Sequence, residues 1–281
     1  MTTLSIILVS FNARDDLLRC LDSILGAPPT TSHELIVVDN ASRDGSADAA
    51  RQKPGVRVID NAANVGFARA NNIGIRASSG AALLLLNSDT IVPPGAIDRL
   101  LAELDADPTV AVVGPRLRND RGEPELSYGR MIGPFSELRQ KRLARGPVEA
   151  LTRTRQYPDW VSGACLLVRR ADAEAVGLFD ERFFMYTEDV DFCAMIRARG
   201  RRILFAPEIE VVHLRGRSAA SAPRETHDAY RQSQIAFYEK HHPAWARLLR
   251  LYLWMRGRAV RAGGPGGPGG AGKAGEDEHR R

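Results

Sequence analysis

The amino-terminal third of the chain alternates short apolar runs with segments of helical periodicity. Apolar runs occupy residues 4–9, 34–38, 56–59 and 81–86, and helical patterns separate most of them at 15–25, 46–52 and 67–77. Such alternation is typical of parallel strands joined by crossover helices. Because the runs are almost continuously apolar, we expect strands that are buried on both faces of the sheet. The sequence therefore predicts an α/β fold with an open, mostly parallel sheet.

Each of these runs is followed by polar residues. In an open α/β sheet, ligands bind beyond the carboxyl ends of the strands, so polar residues at several strand ends define the rim of one pocket. The residues that follow the four runs are Asn12, then Asp39 and Asn40, then Asn61 and Asn64, and finally Asn87, Ser88 and Asp89.

The rest of the chain is predicted to contain a helix at 93–104, strands at 110–113, 160–168 and 202–214, and helical structure from 224 to 261. We interpret the irregular segment 118–159 as a mobile, substrate-facing insertion, with a solvated basic surface as the alternative. We expect one domain over 1–223, with halves at 1–117 and 118–223, then a helical extension at 224–261. The Gly/Pro/Ala-rich residues 262–281 are predicted to be disordered.

Charge and cysteine content exclude several classes of protein. The net charge of +5 is mild, so nucleic acid is not expected as a partner. The three cysteines are far apart, which argues against a zinc site or a disulfide framework and favours a reduced, cytoplasmic setting. No apolar stretch approaches the length of about 20 residues that a spanning helix requires.

An acidic run precedes the predicted helix that ends near Gly200. Glu188, Asp189 and Asp191 lie so close together that their charges repel one another. One interpretation is a general base beside a cation or a sugar ring. The other is helix-terminus chemistry, with Thr187 as the N-cap and the acids at the positive end of the helix dipole.

Asp89 and His213 each end an apolar run and form a candidate metal site. A carboxylate oxygen together with an imidazole nitrogen suits Mn²⁺ or Mg²⁺ bridging a diphosphate. The alternatives are an Asx turn at Asp89 and a purely structural role for His213.

Two strand-to-helix turns are candidates for binding a nucleotide. Asp39 and Asn40 offer acceptors for a base or a ribose, although Asp44 or Ser46 could simply cap the next helix. Asn64, Gly66 and Phe67 open a helix whose backbone amides we expect to face phosphate. Neither a GxGxxG element nor a Walker sequence occurs, which argues against nicotinamide cofactors and P-loop chemistry.

Seven motifs in a fixed order resemble the family 2 glycosyltransferases, within them the rhamnosyltransferase-like group of cell-envelope polysaccharide synthesis. The resemblance covers residues 4–215. The motifs are VSFN at 9–12, VDN at 38–40 with DGS at 44–46, NVGF at 64–67 leading to Asn71 and Asn72, NSD at 87–89, WVSGA at 160–164, GLFD at 177–180 and TEDVD at 187–191.

The resemblance implies a GT-A fold, a dTDP- or UDP-sugar donor, Mn²⁺ or Mg²⁺ as cofactor, and inversion at the anomeric carbon. By this resemblance Asp39 matches the base-recognising acid, Asp89 the last acid of the metal motif, Asp189 the catalytic base and His213 a metal-binding histidine. Asn87 departs from the motif, which often has aspartate there. We assign donor binding to Ser10, Asn12, Asp39, Asn40, Asn64, Gly66, Phe67, Asn71, Asn87 and Ser88, acceptor binding to Trp160, Gly163 and Glu188, and catalysis to Asp189, Glu188 and Asp191.

The expected function is therefore metal-dependent, inverting transfer of a deoxyhexose such as rhamnose, or a hexose, to a glycan or lipid-linked glycan. One alternative is a sugar-nucleotide-binding protein that has lost catalysis, which Asn87 motivates. The other is a sugar nucleotidyltransferase, which would release pyrophosphate, although the chain lacks a glycine- and arginine-rich loop near its amino terminus.

The last helical segment, 244–261, mixes tryptophan and leucine with arginine. This composition fits an amphipathic helix at the cytoplasmic face of a membrane. The competing interpretation, which we favour slightly, is docking onto the catalytic domain.

Overall fold

The computed structural model describes residues 3–133, 148–214 and 223–255. Its strands are β1 (Leu4–Ser10), β2 (His33–Asp39), β3 (Val56–Asp60), β4 (Ala82–Asn87), β5 (Thr90–Ile91), β6 (Val110–Arg118), β7 (Tyr128–Gly129), β8 (Trp160–Val161), β9 (Cys165–Arg169) and β10 (Arg202–His213). Its helices are α1 (Arg14–Leu25), α2 (Ser46–Arg51), α3 (Phe67–Ala77), α4 (Ala96–Ala106), α5 (Val148–Leu151), α6 (Arg170–Ala175), α7 (Glu188–Ala198), α8 (Pro223–His241) and α9 (Pro243–Met255).

One mixed sheet organises the described residues. Its strand order is β3-β2-β1-β4-β9-β6-β10-β5. The first four strands are mutually parallel, and β6 is parallel to β10. Strand β9 runs antiparallel between β4 and β6. It thereby joins the four parallel strands to β6 and β10 in one sheet. The predicted α/β class with a mostly parallel sheet is confirmed.

The central strands are buried because both faces of the sheet are covered. Along β1, Ile6 and Leu8 enter one core, whereas Ile7 and Val9 enter the other. Helices α1 and α4 cover the first face, and α3 and α7 cover the second. Burial on both faces is wrong for β3, which is partly exposed because it lies at the edge of the sheet.

The strand predicted over 160–168 is wrong as a single element. Strand β8 pairs with β7 in a small separate sheet, whereas β9 belongs to the main sheet. Residues 162–164 form the turn between them. This interruption matters because it places backbone groups of the turn against the acidic run.

The carboxyl-terminal part of the described chain is a pair of helices. The predicted helix from 224 onward divides at His242, because Pro243 disfavours helical geometry in the residue before it. Phe237, Tyr238 and Ala246 of this pair pack on Phe183 and Val190, which lie beside the acidic run. None of the described helices is long and apolar enough to cross a membrane.

Two predictions concern residues that fall partly outside the described chain. Of the predicted insertion at 118–159, residues 134–147 are not described, whereas Tyr128 lies in the core with its ring centroid 4.4 Å from that of Phe205. Residues 256–261 of the helical extension and the predicted tail at 262–281 also lie outside the described residues.

Candidate active site

The ends of β1 and β2 present buried polar atoms without protein partners. Asp39 Oδ2 accepts a hydrogen bond from the Ser42 amide at 2.8 Å. Asp39 Oδ1 and Ser10 Oγ are buried and have no hydrogen-bond partner among the described residues. Buried polar groups are normally hydrogen-bonded, so these orphaned atoms are suited to a polar ligand.

The loops that follow β1 and β2 are hydrogen-bonded to each other. The Asn12 amide donates to Ser42 Oγ at 2.9 Å, and Asn12 Oδ1 accepts from the Arg43 amide at 2.8 Å. Asp44 receives the amides of Arg14 and Ser46 and lies one residue before Gly45, the N-cap of α2. The two loops therefore form one rigid rim beside Asp39.

The start of α3 is closed by the segment that precedes the acidic run. The Phe67 amide donates to the Phe184 carbonyl at 2.7 Å, and the Gly66 amide donates to Asn64 Oδ1 at 3.0 Å. A Cβ on Gly66 would lie 2.5 Å from the Phe184 oxygen, so only glycine fits there. The Gly66 and Phe67 amides therefore have partners within the chain, and phosphate binding by this helix stays a prediction for its other amides.

Two asparagines fix α3 to its surroundings, and a third bonds within the helix. Asn40 Nδ2 donates to the Gly66 carbonyl at 3.3 Å. Asn72 exchanges hydrogen bonds with the backbone of Phe179, so its role is structural. Asn71 Nδ2 donates to the Phe67 carbonyl, but its Oδ1 is buried without a partner in the described chain.

Asp89 and His213 are brought together by the sheet. Strand β5 pairs antiparallel with the end of β10, with Thr90 opposite His213. As a result His213 Nε2 lies 3.3 Å from Asp89 Oδ1 and 3.4 Å from Asn87 Nδ2. The two predicted metal ligands are therefore adjacent, although no cluster of three acidic, histidine or cysteine side chains suited to a metal occurs within the described residues.

A third charged residue, Glu125, holds the other side of the His213 ring. Glu125 Oε2 lies 3.2 Å from His213 Nδ1 and is buried. Burial alone lowers the pKa of His213, but hydrogen bonds to Asp89 and Glu125 outweigh it and raise the pKa to about 9. When His213 is protonated, both of its ring nitrogens donate hydrogen bonds. A cation can bind Nε2 only after this nitrogen has lost the proton that it donates to Asp89.

Asp189 is held by the turn at 162–164. Its Oδ2 accepts the Gly163 amide at 2.8 Å, and its Oδ1 accepts the Val190 amide at 2.8 Å. A Cβ on Gly163 would lie 3.3 Å from the Asp189 Cβ, so glycine permits this close approach. Burial raises the pKa of Asp189, although the two amide hydrogen bonds oppose the shift.

Glu188 lies beside Asp189 in an environment that disfavours charge. Burial, together with the neighbouring Asp189 carboxylate, raises the pKa of Glu188 well above its usual value. Its Oε2 has no hydrogen-bond partner among the described residues. Two adjacent carboxyl groups with raised pKa values are typical of acid–base sites.

The same turn also contacts the strand that leads to Asp89. The Ala164 carbonyl accepts the Asn87 amide at 3.0 Å, one residue after Gly163 binds Asp189. The candidate base and the candidate metal ligands are thus positioned by consecutive backbone groups.

The backbone immediately before α7 is strained. Tyr186 and Thr187 have φ values of 70° and 63°, which non-glycine residues rarely adopt. Thr187 occupies the N-cap position, but its side chain makes no capping hydrogen bond and Oγ1 is buried without a partner in the described chain. The interpretation of Thr187 as a capping side chain is therefore wrong.

Asp191 has a different environment from the two acids before it. It is almost fully buried and accepts from Lys240 Nζ at 2.8 Å and from His241 Nε2 at 2.6 Å. Lys240 also donates to Asp180 at 2.9 Å. Asp191 therefore joins α7 to α8, a geometry that suits a positioning residue better than a base.

The remaining predicted residues lie around this centre. Trp160 is partly buried and donates from Nε1 to the Arg130 carbonyl at 2.9 Å. Ser88 is buried between Asn87 and Asp89.

Comparison with known proteins identifies the family. The profile of Glycosyl transferase family 2 matches residues 5–176. The chain belongs to this family. An N-acetylglucosaminyl-diphospho-decaprenol L-rhamnosyltransferase of Mycobacterium tuberculosis is 32% identical over 245 residues, which is 76% of each chain. A low-salt glycan biosynthesis hexosyltransferase of Haloferax volcanii is 28% identical over 75% of this chain and 66% of its own. The predicted likeness to rhamnosyltransferases is confirmed.

Solved structures of other glycosyltransferases share the fold of this family 2 member. The mannosyltransferase PcManGT of Pyrobaculum calidifontis, solved with GDP-Man and Mn²⁺, superposes with a TM-score of 0.62 at 19% identity, over 90% of this chain and 69% of its own. GalNAc-T7, solved with UDP, GalNAc and Mn²⁺, gives 0.58 at 19% identity over 75% and 43%. The predicted GT-A fold is confirmed.

Three residues at the glycosyltransferase site were not predicted from the sequence. Glu125 stands alone in an irregular segment, and it contacts a histidine 88 positions away. Lys240 and His241 lie in a helix with many charged residues, and the sequence does not indicate that these two have a buried partner. Only the pairing of β6 with β10, which brings the segment after β6 to His213, and the packing of α8 on α7 reveal these contacts.

Proposed function

We propose that this glycosyltransferase transfers rhamnose or a related hexose from a dTDP- or UDP-sugar to a hydroxyl of a lipid-linked glycan, with inversion, in cell-envelope polysaccharide synthesis. The name of the Mycobacterium tuberculosis relative gives L-rhamnose as the sugar and N-acetylglucosaminyl-diphospho-decaprenol as the acceptor. The Haloferax volcanii relative is named a hexosyltransferase of glycan biosynthesis. Both names support a sugar donor and a glycan acceptor.

The observation that carries the proposal is the turn at 162–164. Gly163 holds Asp189 and Ala164 holds Asn87, so a proton acceptor lies next to the strand end that bears Asp89. Inverting sugar transfer needs a base on the attacking hydroxyl and positive charge at the departing diphosphate. Hydrogen bonds that join consecutive residues of this turn to Asp189 and Asn87 support a joint role for the two regions.

Asp189 is proposed to take the proton from the acceptor hydroxyl. Its raised pKa makes it a stronger base than an exposed aspartate, while the Gly163 and Val190 amides fix the orientation of its carboxylate. Glu188, whose pKa burial raises well above its usual value, is proposed to donate a hydrogen bond to an acceptor oxygen in its protonated form.

Asp39 and Ser10 are proposed to bind the nucleoside of the donor. Asp39 Oδ1 and Ser10 Oγ are the orphaned buried atoms at the ends of β1 and β2. A carboxylate oxygen accepts from a base N–H or a ribose hydroxyl, so a bound nucleoside would satisfy it. Asn12, Asn40 and Asn64 support this rim through the hydrogen bonds described above.

Asp89 and His213 fit a divalent cation. Mg²⁺ sites in such enzymes commonly use one or two protein side chains plus substrate phosphates, so a cluster of three ligands is not required. Glu125 on Nδ1 provides the outer carboxylate that metal-binding histidines usually have. The chemistry that bound Mn²⁺ or Mg²⁺ supplies is charge neutralisation at the diphosphate.

A donor screen tests this function. Purified protein is incubated with dTDP-, UDP- and GDP-sugars, with or without a polyprenyl-diphosphate-linked N-acetylglucosamine, in Mn²⁺ or in excess chelator. We expect acceptor-dependent release of a nucleoside diphosphate that chelator abolishes. Pyrophosphate release from a nucleoside triphosphate and a sugar 1-phosphate, without nucleoside diphosphate release from any sugar donor, would contradict sugar transfer.

Asn87 favours a second candidate, a sugar-nucleotide-binding protein without turnover. Its amide faces His213 Nε2 at 3.4 Å and supplies no negative charge to a cation. The same screen distinguishes the two candidates, because a binding protein would bind donor in calorimetry and release no nucleoside diphosphate with any acceptor or metal.

A further inference from the structure

Helix α9 presents two different apolar faces. Ala246, Leu249 and Leu253 face the protein, since Ala246 and Leu253 are buried and Leu249 packs on the cluster around Phe237. The predicted docking of this segment onto the domain therefore has a structural basis. It involves only one face of the helix.

The opposite face of α9 is apolar and exposed. At about 3.6 residues per turn, Trp245, Leu248, Leu251, Trp254 and Met255 cover the side away from the buried residues. Leu248 is 55% exposed, Trp254 67% and Met255 64%. These five make up most of the large hydrophobic side chains that are exposed in the described chain. Such a contiguous patch marks an interaction surface.

The charged residues of α9 itself are all basic. Helix α9 contains no acidic residue, whereas Arg247 and Arg250 are both exposed. Glu239, an acid on the neighbouring helix, is paired with Arg250. The sequence that follows adds Arg256, Arg258 and Arg261 before any further acid. An apolar face bordered by cations complements an anionic surface.

We propose that the exposed face of α9 inserts into the headgroup region of an anionic lipid bilayer. Tryptophan and leucine enter the boundary of the acyl chains, and the arginines contact lipid phosphates. A lipid bilayer is favoured over a second copy of the chain because the border of positive charge would repel itself across a symmetric contact. Binding to the bilayer would bring the active site to a lipid-linked acceptor. This benefit rests on the proposed function.

Vesicle co-sedimentation of the full chain tests the surface without donor or acceptor. The vesicles contain phosphatidylcholine alone or mixed equally with phosphatidylglycerol. We expect the wild type to bind the anionic vesicles, more weakly as salt rises. The double variant Leu248→Ser/Trp254→Ser should bind about tenfold more weakly or worse, because it loses two inserting side chains. Circular dichroism confirms that each variant is folded.

Charge variants and fluorescence separate this mechanism from nonspecific attraction. Arg247→Glu should weaken binding several-fold, whereas Arg121→Glu, an equal charge change on an exposed turn, should have little effect. Subtracting the fluorescence spectrum of Trp254→Phe from that of the wild type gives the emission of Trp254. On vesicles this emission should shift to shorter wavelength, and brominated lipid should quench it.

Four outcomes would overturn the proposal. They are absence of binding to anionic vesicles, equal binding by the double variant, equal weakening by Arg121→Glu, or unshifted Trp254 emission. A dimer in analytical ultracentrifugation that the double variant dissociates, without vesicle binding, would assign the face to self-association instead. Because the readouts need no turnover, failure here leaves the proposed sugar transfer testable by nucleoside diphosphate release.

Discussion

At the scale of single residues, the chemistry of the site depends on burial acting on adjacent acids. Asp189 keeps two amide hydrogen bonds, which favour its charged form, whereas Glu188 Oε2 has no partner in the described chain. Glu188 is consequently the more easily protonated of the two, and Asp189 is the better candidate for a base near neutral pH.

The pH dependence of transfer follows from this difference. Because burial raises the pKa of Asp189, its basic form is lost at higher pH than for an ordinary aspartate of pKa about 3.9. We expect the acid limb of kcat/KM to lie above that value and to persist in Glu188→Gln. A limb at the ordinary value, or one that disappears in Glu188→Gln, would contradict the assignment.

Glu125 gives a second prediction at this scale. Glu125→Gln removes the carboxylate that orients His213, so Mn²⁺ affinity should fall by about 10–100-fold, the usual effect of losing such a partner. Electron paramagnetic resonance of free Mn²⁺, with a nucleoside diphosphate present, measures the affinity directly. Glu123→Gln, two positions away on an exposed turn, is the control. Unchanged affinity in Glu125→Gln would remove Glu125 from the site.

At the scale of elements, helix α7, which carries the candidate base, is fixed at both of its sides. The turn at 162–164 binds Asp189, and the end of α8 binds Asp191 through Lys240 and His241. This arrangement explains how three acids can follow one another closely. Each has a separate environment, and the ion pairs of Asp191 offset the repulsion.

Asp191→Asn tests the link between α7 and α8. The variant keeps the shape of the side chain but loses a charge to which Lys240 and His241 both donate, so the free energy of unfolding should fall by about 1.5–3 kcal/mol. Urea unfolding measures the loss, and donor affinity should remain close to wild type. Asp105→Asn, at an exposed position, should change stability little. Coincident unfolding curves for Asp191→Asn and wild type would refute the link.

At the scale of the whole molecule, local periodicity predicts much of the fold and little of the contacts between distant segments. The helix predicted at 67–77 has those bounds, because its apolar face and the preceding Gly66 are local signals. The break within 160–168 was not predicted, because Ser162 and Gly163 can also occur inside a continuous strand and only the pairing of β8 and β9 with different sheets separates the two. In the candidate site, too, local signals were predicted and contacts between distant segments were not. Asp89 and His213 were each predicted from a strand end, but Glu125 depends on a contact across 88 positions.

Whether this fold carries out sugar transfer with Asp189 as base is tested most directly by Asp189→Asn. The acceptor-dependent rate of nucleoside diphosphate release is measured for the variant and the wild type, and donor Kd is measured by calorimetry. We predict a rate lower by about 10²–10⁴-fold, the usual effect of losing a general base, with donor Kd nearly unchanged. Turnover close to wild type, or loss of donor binding together with turnover, would contradict the account.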